Sequence, residues 1–272
     1  MDTQRHQKEL EAYYQTQIGG RTIFWKDKYK PYLSLYRDRL IKRNAAILAS
    51  LPQVIDFALD LGCGQGDLMA VLAPRSRRVL GIDYAEVMAR TARSNLSEFP
   101  NTFVLCSPAE VLPVKSESLD VILLADVIEH LRDPLQCLCE CRRILKPGGR
   151  LVITTPNRAV ENFWKGVDGT LAAPFRIFRN RRPTPPVFER LFSRGELSSL
   201  AQEADFQIVG HRLIEFYPGS EGSGTFGRLL RLIARTKPVR EWLIEPVFRA
   251  LFAGAERFEI LNNRQLLVAV KQ

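Results

Sequence analysis

Between residues 56 and 156 short apolar runs alternate with stretches whose apolar positions recur every three or four residues. DFALDL, RRVLGID, TFVLC, SLDVILLAD and RLVITTP are short and nearly continuous, so they predict strands, SLDVILLAD a buried one. Between them DLMAVLA, AEVMARTARSNL and DPLQCLCECRRIL have the period of helices. Asp133 stands as the N-cap of the third helix, with Pro134 in its first position, and KPGG (146–149) predicts a tight turn after it. Alternation at this spacing predicts βαβ units around a parallel sheet.

Past Asn157 the pattern changes. RIFRNRRPTPPVFER is basic and proline-rich and predicts an irregular excursion. Ser193 precedes Glu196 at capping-box spacing, which starts a helix in SRGELSSLAQEA. FQIVGHRLIEFY predicts a long strand, PGSEGSG a flexible turn and RQLLVAVKQ a closing strand. Between the last two strands, Phe226, Leu229, Leu230 and Ile233 oppose Arg228, Arg231 and Arg235, the layout of an amphipathic helix. Trp242 to Phe252 suggest a second helix, started or interrupted by Pro246. The expected organisation is a helical N-terminal lid over 1–50 and one domain over 51–272. Within that domain lie an acceptor-side excursion (158–192) and a helical insertion (218–258).

Composition narrows the class. The net charge is +9, yet residues 57–157 carry 11 basic against 12 acidic side chains. The basic excess therefore sits on the flanking segments. Basicity confined to appendages suits an anionic substrate, a membrane surface or RNA, and equally a merely solvated surface. The five cysteines form no C-x-x-C pair, which argues against disulfides and a zinc site and for a reducing compartment. The polar N-terminus and the lack of a long apolar run predict a cytoplasmic protein, with peripheral membrane contact through the insertion as the variant.

The chemistry begins at ALDLGCGQGD, where three glycines alternate directly after a strand. A dinucleotide loop places its third glycine where Asp67 stands here, and a P-loop needs a Gly-Lys-Ser/Thr that is absent. Asp60 at the strand end repels a pyrophosphate and tolerates an ammonium group. The motif therefore favours a ligand with a cationic end and a ribose.

DLGCGQG, GIDYA, DVILLADVIEHLRDP and RRILKPGGRLVITTPN, in this order, resemble the successive signatures of class I S-adenosylmethionine-dependent methyltransferases, in particular those that modify small molecules, quinones and lipids. The resemblance spans roughly residues 56–216. It implies an α/β, Rossmann-like, seven-stranded, mostly parallel sheet in order 3-2-1-4-5-7-6, with the last strand antiparallel. It also implies S-adenosylmethionine as cofactor and S-adenosylhomocysteine as product. Gly62, Cys63 and Gly64 would approach the methionine part, with Asp60 holding that loop near the ammonium group. Asp83 would accept from both ribose hydroxyls, and Tyr84 and Met88 would cover an adenine face. Ala109, Glu110 and Ala125 complete the expected cofactor set. One departure stands out: Pro108 occupies the position where the family carries an aspartate for the adenine amino group. Ala109 through its backbone, or Glu110, would have to substitute.

Methyl transfer to oxygen needs a base or an ionised acceptor. Asp126, Glu129 and His130, just after the fourth strand, are the expected catalytic residues, with His130 as base and packed loop histidine as the plain alternative. The same cluster resembles the acidic set with which some ubiquinone-type O-methyltransferases hold a divalent ion, but no metal is expected here. The expected reaction is O-methylation of a small-molecule, quinone-like or lipid-like acceptor, anionic in one variant. An RNA methyltransferase and a catalytically silent methyltransferase fold that only binds partners remain open beside it.

Overall fold

The computed structural model describes residues 42–163, 190–214 and 264–272. Residues 1–41 of the expected lid (1–50), residues 164–189 of the excursion (158–192) and the whole expected insertion (218–258) lie outside the described residues.

Helix α1 (42–49) precedes β1 (Ile55–Leu61), α2 (Asp67–Leu72), β2 (Ser76–Asp83), α3 (Glu86–Asn95), β3 (Thr102–Cys106) and β4 (Leu119–Ala125). Then follow α4 (Pro134–Ile144), β5 (Leu145–Pro156), α5 (158–163), α6 (Arg194–Glu203), β6 (Phe206–Ile214) and β7 (Arg264–Lys271). The seven strands form one sheet in the order β3-β2-β1-β4-β5-β7-β6. β7 runs antiparallel to both β5 and β6, and the pairs among β1 to β5 are parallel. The strand order expected from the sequence is the one observed.

The continuous apolar runs are explained by two cores, one on each face. Ala58, Val79, Val121 and Leu123 pack beneath α1, α2 and α3, while their strand neighbours Leu59, Leu80, Ile122 and Leu124 pack beneath α4 and α6. Period-two alternation is present, but both phases are apolar because both faces are covered. Each fully buried Leu or Ile contributes about 1.5–3 kcal/mol relative to exposure. A sheet so sandwiched presents its chemistry only at the strand ends.

Two local readings are corrected or extended. The expected turn at Lys146–Gly149 lies inside β5, which starts at Leu145. Leu119 pairs with Leu145 and Val121 with Arg150, so the extra residues are absorbed as an irregularity, with Gly148 at φ +77°. Leu119 thus stays paired, which the turn signal alone does not reveal. After β4 a single 3-10 turn, Ile128–His130, forms where the sequence suggested only a junction.

Helix starts follow their caps. Asp133 accepts from Gln136 N at 2.9 Å, with Pro134 following it. Ser193 and Glu196 close a capping box: Glu196 N donates to Ser193 Oγ at 3.2 Å and Ser193 N to Glu196 Oε2 at 2.8 Å. Those bonds, with Arg158, hold the Glu196 carboxyl down to about 2. Ser193→Ala should cost about 1 kcal/mol of stability, read as a lower urea midpoint at unchanged m-value.

Candidate active site

The sheet order reverses between β1 and β4, which part there towards β2 and β5. That switch point leaves a crevice at the carboxyl ends of the strands, the usual ligand position in an open α/β sheet. A cleft of about 620 Å³ lies there, within the range of small-ligand sites. Its walls are the exits of β1, β2, β3 and β4.

The β1 exit is backbone. Gly62 N and Cys63 N both donate to Ile82 O, at 2.7 and 3.1 Å, which folds the turn against β2. Gly62 has φ +78°, and a Cβ there would stand 2.3 Å from Val127 Cγ2. Only glycine fits that approach. At Gly64, φ +54°, an added Cβ would meet nothing within 4 Å among the described residues. Gly64 N donates to Asp83 Oδ2 at 2.8 Å, and Ala85 N donates to Asp83 Oδ1 at 2.8 Å. A carboxylate has about four acceptor positions, so Asp83 keeps roughly two for a ligand. Loop-holding, expected of Asp60, falls to Asp83, and no loop amide bonds to Asp60 among the described residues.

Asp60 instead lies buried beneath the turn, 2% exposed. Burial pushes its carboxyl up to about 7, against the nearby Arg43 guanidinium; Asp67 and Asp83 add to the rise. Cys63 is also buried, its thiol pushed up by desolvation and by Asp60. It packs under the turn rather than on the cleft wall.

The expected catalytic trio separates into three environments. Asp126 lines the cleft, but its carboxylate is engaged: Arg43 Nη1 donates to Oδ2 at 2.6 Å, and Arg264 Nη1 and Thr154 Oγ1 donate to Oδ1. The residue sits at φ +61°, a left-handed conformation held by these contacts. Glu129 is 1% exposed, accepts from Thr155 Oγ1 at 3.0 Å and does not line the cleft. His130 lines the cleft with an exposed side chain. Among the described residues no group of three His, Cys, Asp or Glu is placed to hold a metal.

Of the expected cofactor residues, Gly62, Asp83, Tyr84, Ala109 and Glu110 line the cleft. Met88 and Ala125 are half-buried behind it. Sequence reasoning missed Arg43 and Arg264, whose partner Asp126 lies 83 and 138 positions away. No local pattern signals such pairs.

The geometry agrees with comparisons to known proteins. Residues 59–153 match the family described as a methyltransferase domain. That match covers about a third of the chain and shows what those residues are similar to. Its sequence is 33% identical over 150 residues to a probable S-adenosylmethionine-dependent methyltransferase of Mycolicibacterium smegmatis, covering 55% of this chain and 51% of that one. A ubiquinone biosynthesis O-methyltransferase of Coxiella burnetii is 27% identical, over 59% of this chain and 67% of its own. The fold superposes on that of a possible histamine N-methyltransferase of Thermotoga maritima with TM-score 0.55 at 21% identity, covering 91% and 97% of the two chains. The chain spans about half the length of the M. smegmatis relative. Among the described residues, no helix is long and apolar enough to cross a membrane.

The raised carboxyl of Asp60 gives a pH signature. Its folded value, about 7, exceeds the ordinary 3.8, so the folded state holds more protons between those limits. Asp60 therefore favours folding at low pH, and this contribution is lost as pH rises towards 7. Asp60→Asn should gain urea stability relative to the unaltered protein from pH 5 to pH 8; an unchanged difference would contradict an ionisable, desolvated Asp60.

Proposed function

We propose that the protein transfers the methyl group of S-adenosylmethionine to an oxygen of a small-molecule, quinone-like or lipid-like acceptor. The observation that carries the cofactor half is Asp83: a carboxylate fixed by two backbone amides, on the cleft wall, beside Gly64. A ribose diol would find the remaining acceptor positions of a group already oriented, so little ordering entropy is lost on binding.

The methionine end is matched by charge. Asp60 and Asp126 with Arg43 and Arg264 gather two carboxylates and two guanidinium groups next to the turn. That set is complementary to an amino-acid zwitterion. Arg43 would meet the carboxylate and Asp60 the ammonium, whose charge would favour ionised Asp60. Tyr84, 79% exposed at the cleft, would close over the base.

The cofactor supplies a methyl carbon activated by a positively charged sulfur. The chain's part is to hold the acceptor oxygen in line with it and to take the acceptor's proton. His130 is the residue for the proton, being the member of the trio that lines the cleft with an exposed side chain. Asp126 positions Arg43 and Arg264 rather than acting as a base, and Glu129 braces the wall behind. The oxygen acceptor is supported by the similarity to the ubiquinone biosynthesis O-methyltransferase, and the anionic variant by the basic flanks. Contact with an anionic membrane would fall to Phe226–Phe252.

Asp83→Ala should weaken S-adenosylhomocysteine binding at least tenfold, since charge-assisted bonds contribute about 1.5–3 kcal/mol. Calorimetry on a variant with an unshifted melting temperature checks this. His130→Ala should keep cofactor affinity and lower turnover of a phenolic acceptor by about 10²–10⁴. Normal turnover in that variant would remove the base assignment and leave the cofactor assignment standing.

A further inference from the structure

The arginines around the cleft are committed to the protein itself. Arg43 and Arg264 bind Asp126, Arg142 pairs with Asp205, and Arg143 holds Glu140 with the carbonyls of Leu112 and Val114. Among the described residues Arg132 is the one arginine whose guanidinium has no hydrogen bond, ion pair or ring contact. It is exposed and lines the cleft two residues past His130. The acid next to it is not its partner, since the Asp133 carboxylate accepts from Gln136 N at 2.9 Å. That cap and Pro134 fix the backbone just beyond Arg132, so the guanidinium swings from a set point. Glu110 lines the same cleft from the β3 side and makes no ion pair with it. A cation with no counter-ion therefore stands on the wall that also carries the base of the proposed reaction.

We propose that Arg132 binds the acceptor through an oxyanion that the acceptor carries close to its methyl-accepting hydroxyl. The inference rests on the acceptor reading above and goes beyond it by naming the acceptor's charge and the residue that reads it. A guanidinium is a planar fork whose parallel N–H groups meet two oxygens of a carboxylate or a phosphodiester. Basic segments that flank a domain steer anions towards it, whereas a charge on the cleft wall selects among those that enter. The same positive charge favours the ionised form of a neighbouring hydroxyl, which eases the proton transfer assigned to His130. A neutral acceptor of equal shape would strip water from the guanidinium and give it no partner, so the site discriminates against it.

The test is methyl transfer and calorimetric binding on the full chain with 3,4-dihydroxybenzoate and with 3,4-dihydroxybenzamide, in which a neutral amide replaces the carboxylate. The unaltered protein should favour the benzoate by about ten- to a hundredfold, the range of one charge-assisted contact. Arg132→Gln should raise KM for the benzoate by that factor while the benzamide and S-adenosylhomocysteine bind as before. Arg132→Lys keeps the charge without the fork and should retain part of the preference. Dihexanoylphosphatidylglycerol presents the oxyanion as a lipid phosphodiester. If it binds more tightly than the benzoate and depends on Arg132, the oxyanion is that of a headgroup; the reverse order assigns it to a free carboxylate. Finding that neither anionic probe depends on Arg132 would overturn the inference and leave the methyltransferase reading standing. Loss of S-adenosylhomocysteine affinity in Arg132→Gln would also overturn it, by giving Arg132 to the cofactor. If S-adenosylhomocysteine binds and no probe binds or is methylated, the acceptor reading falls, and this inference with it.

Discussion

The cleft depends on how closely the chain turns as it leaves β1. Gly62 and Cys63 share one carbonyl, Ile82 O, and Gly64 reaches the carboxylate of Asp83. These bonds register the exit of β1 against that of β2 to within a hydrogen-bond length. The same glycine sets the third wall, because Val127 occupies the space a side chain at Gly62 would take. Neutral hydrogen bonds of this kind contribute about 0.5–1.5 kcal/mol each, and the one to the carboxylate about twice that. Their larger effect is geometric: three strand exits share one turn, so the Asp83 carboxylate, the Gly64 backbone and the post-β4 wall keep fixed spacings.

Charge beneath the turn follows a different logic. Arg43 comes from α1, Asp126 from the end of β4 and Arg264 from the start of β7, and Arg264 is 4% exposed. Taking such groups out of water cancels much of their attraction, so a buried pair is poor support for stability as such. Removing one member, by contrast, leaves an uncompensated charge and costs about 3–5 kcal/mol. The network therefore makes these three elements interdependent. It also accounts for the left-handed backbone at Asp126, a conformation that a non-glycine residue keeps only when its surroundings fix it. Asp60, pushed towards neutrality by burial, shows what happens to a carboxylate nearby that makes no direct guanidinium bond among the described residues.

The sheet was legible in the sequence because each strand is a local signal and the order of the runs carries the topology. Asp133 and Ser193 were legible as caps, since a cap is a matter of spacing within three residues. Asp83 was legible as a residue at the cleft because it stands at a strand end, but its amide contacts were not, since they depend on the neighbouring strand. Lys146–Gly149 misled because Pro-Gly-Gly is a turn signal that tertiary pairing overrides; Leu119 pairs with Leu145 before the irregularity. Asp126, Glu129 and His130 read as one cluster because they are close in sequence. The left-handed residue at 126 and the 3-10 turn that follows send their side chains to a guanidinium pair, a buried threonine and the cleft.

The described residues that flank 164–189 and 215–263 are tied together beside Glu129 and Phe192. Arg190 N donates to Glu129 O at 2.7 Å, Asn157 bridges to Phe192, and Gln265 Nε2 donates to Phe192 O at 2.8 Å. His211 lies between Ser198 Oγ, 2.9 Å from its Nδ1, and Gln265 Oε1, 3.1 Å from its Nε2, so β6 and α6 are tied to the same strand end. Burial and the nearby Arg194 hold this imidazole below its usual range, which favours the neutral form that accepts at one nitrogen and donates at the other. With their ends fixed, such segments alter length at an entropic cost that grows only logarithmically. Acceptor walls built on them would therefore diversify while the turn at Gly62, Asp83 and the charge network stay in place. A cleft carried by strand exits and an acceptor wall carried by loops would divide the constraints, so that each could change without dismantling the other.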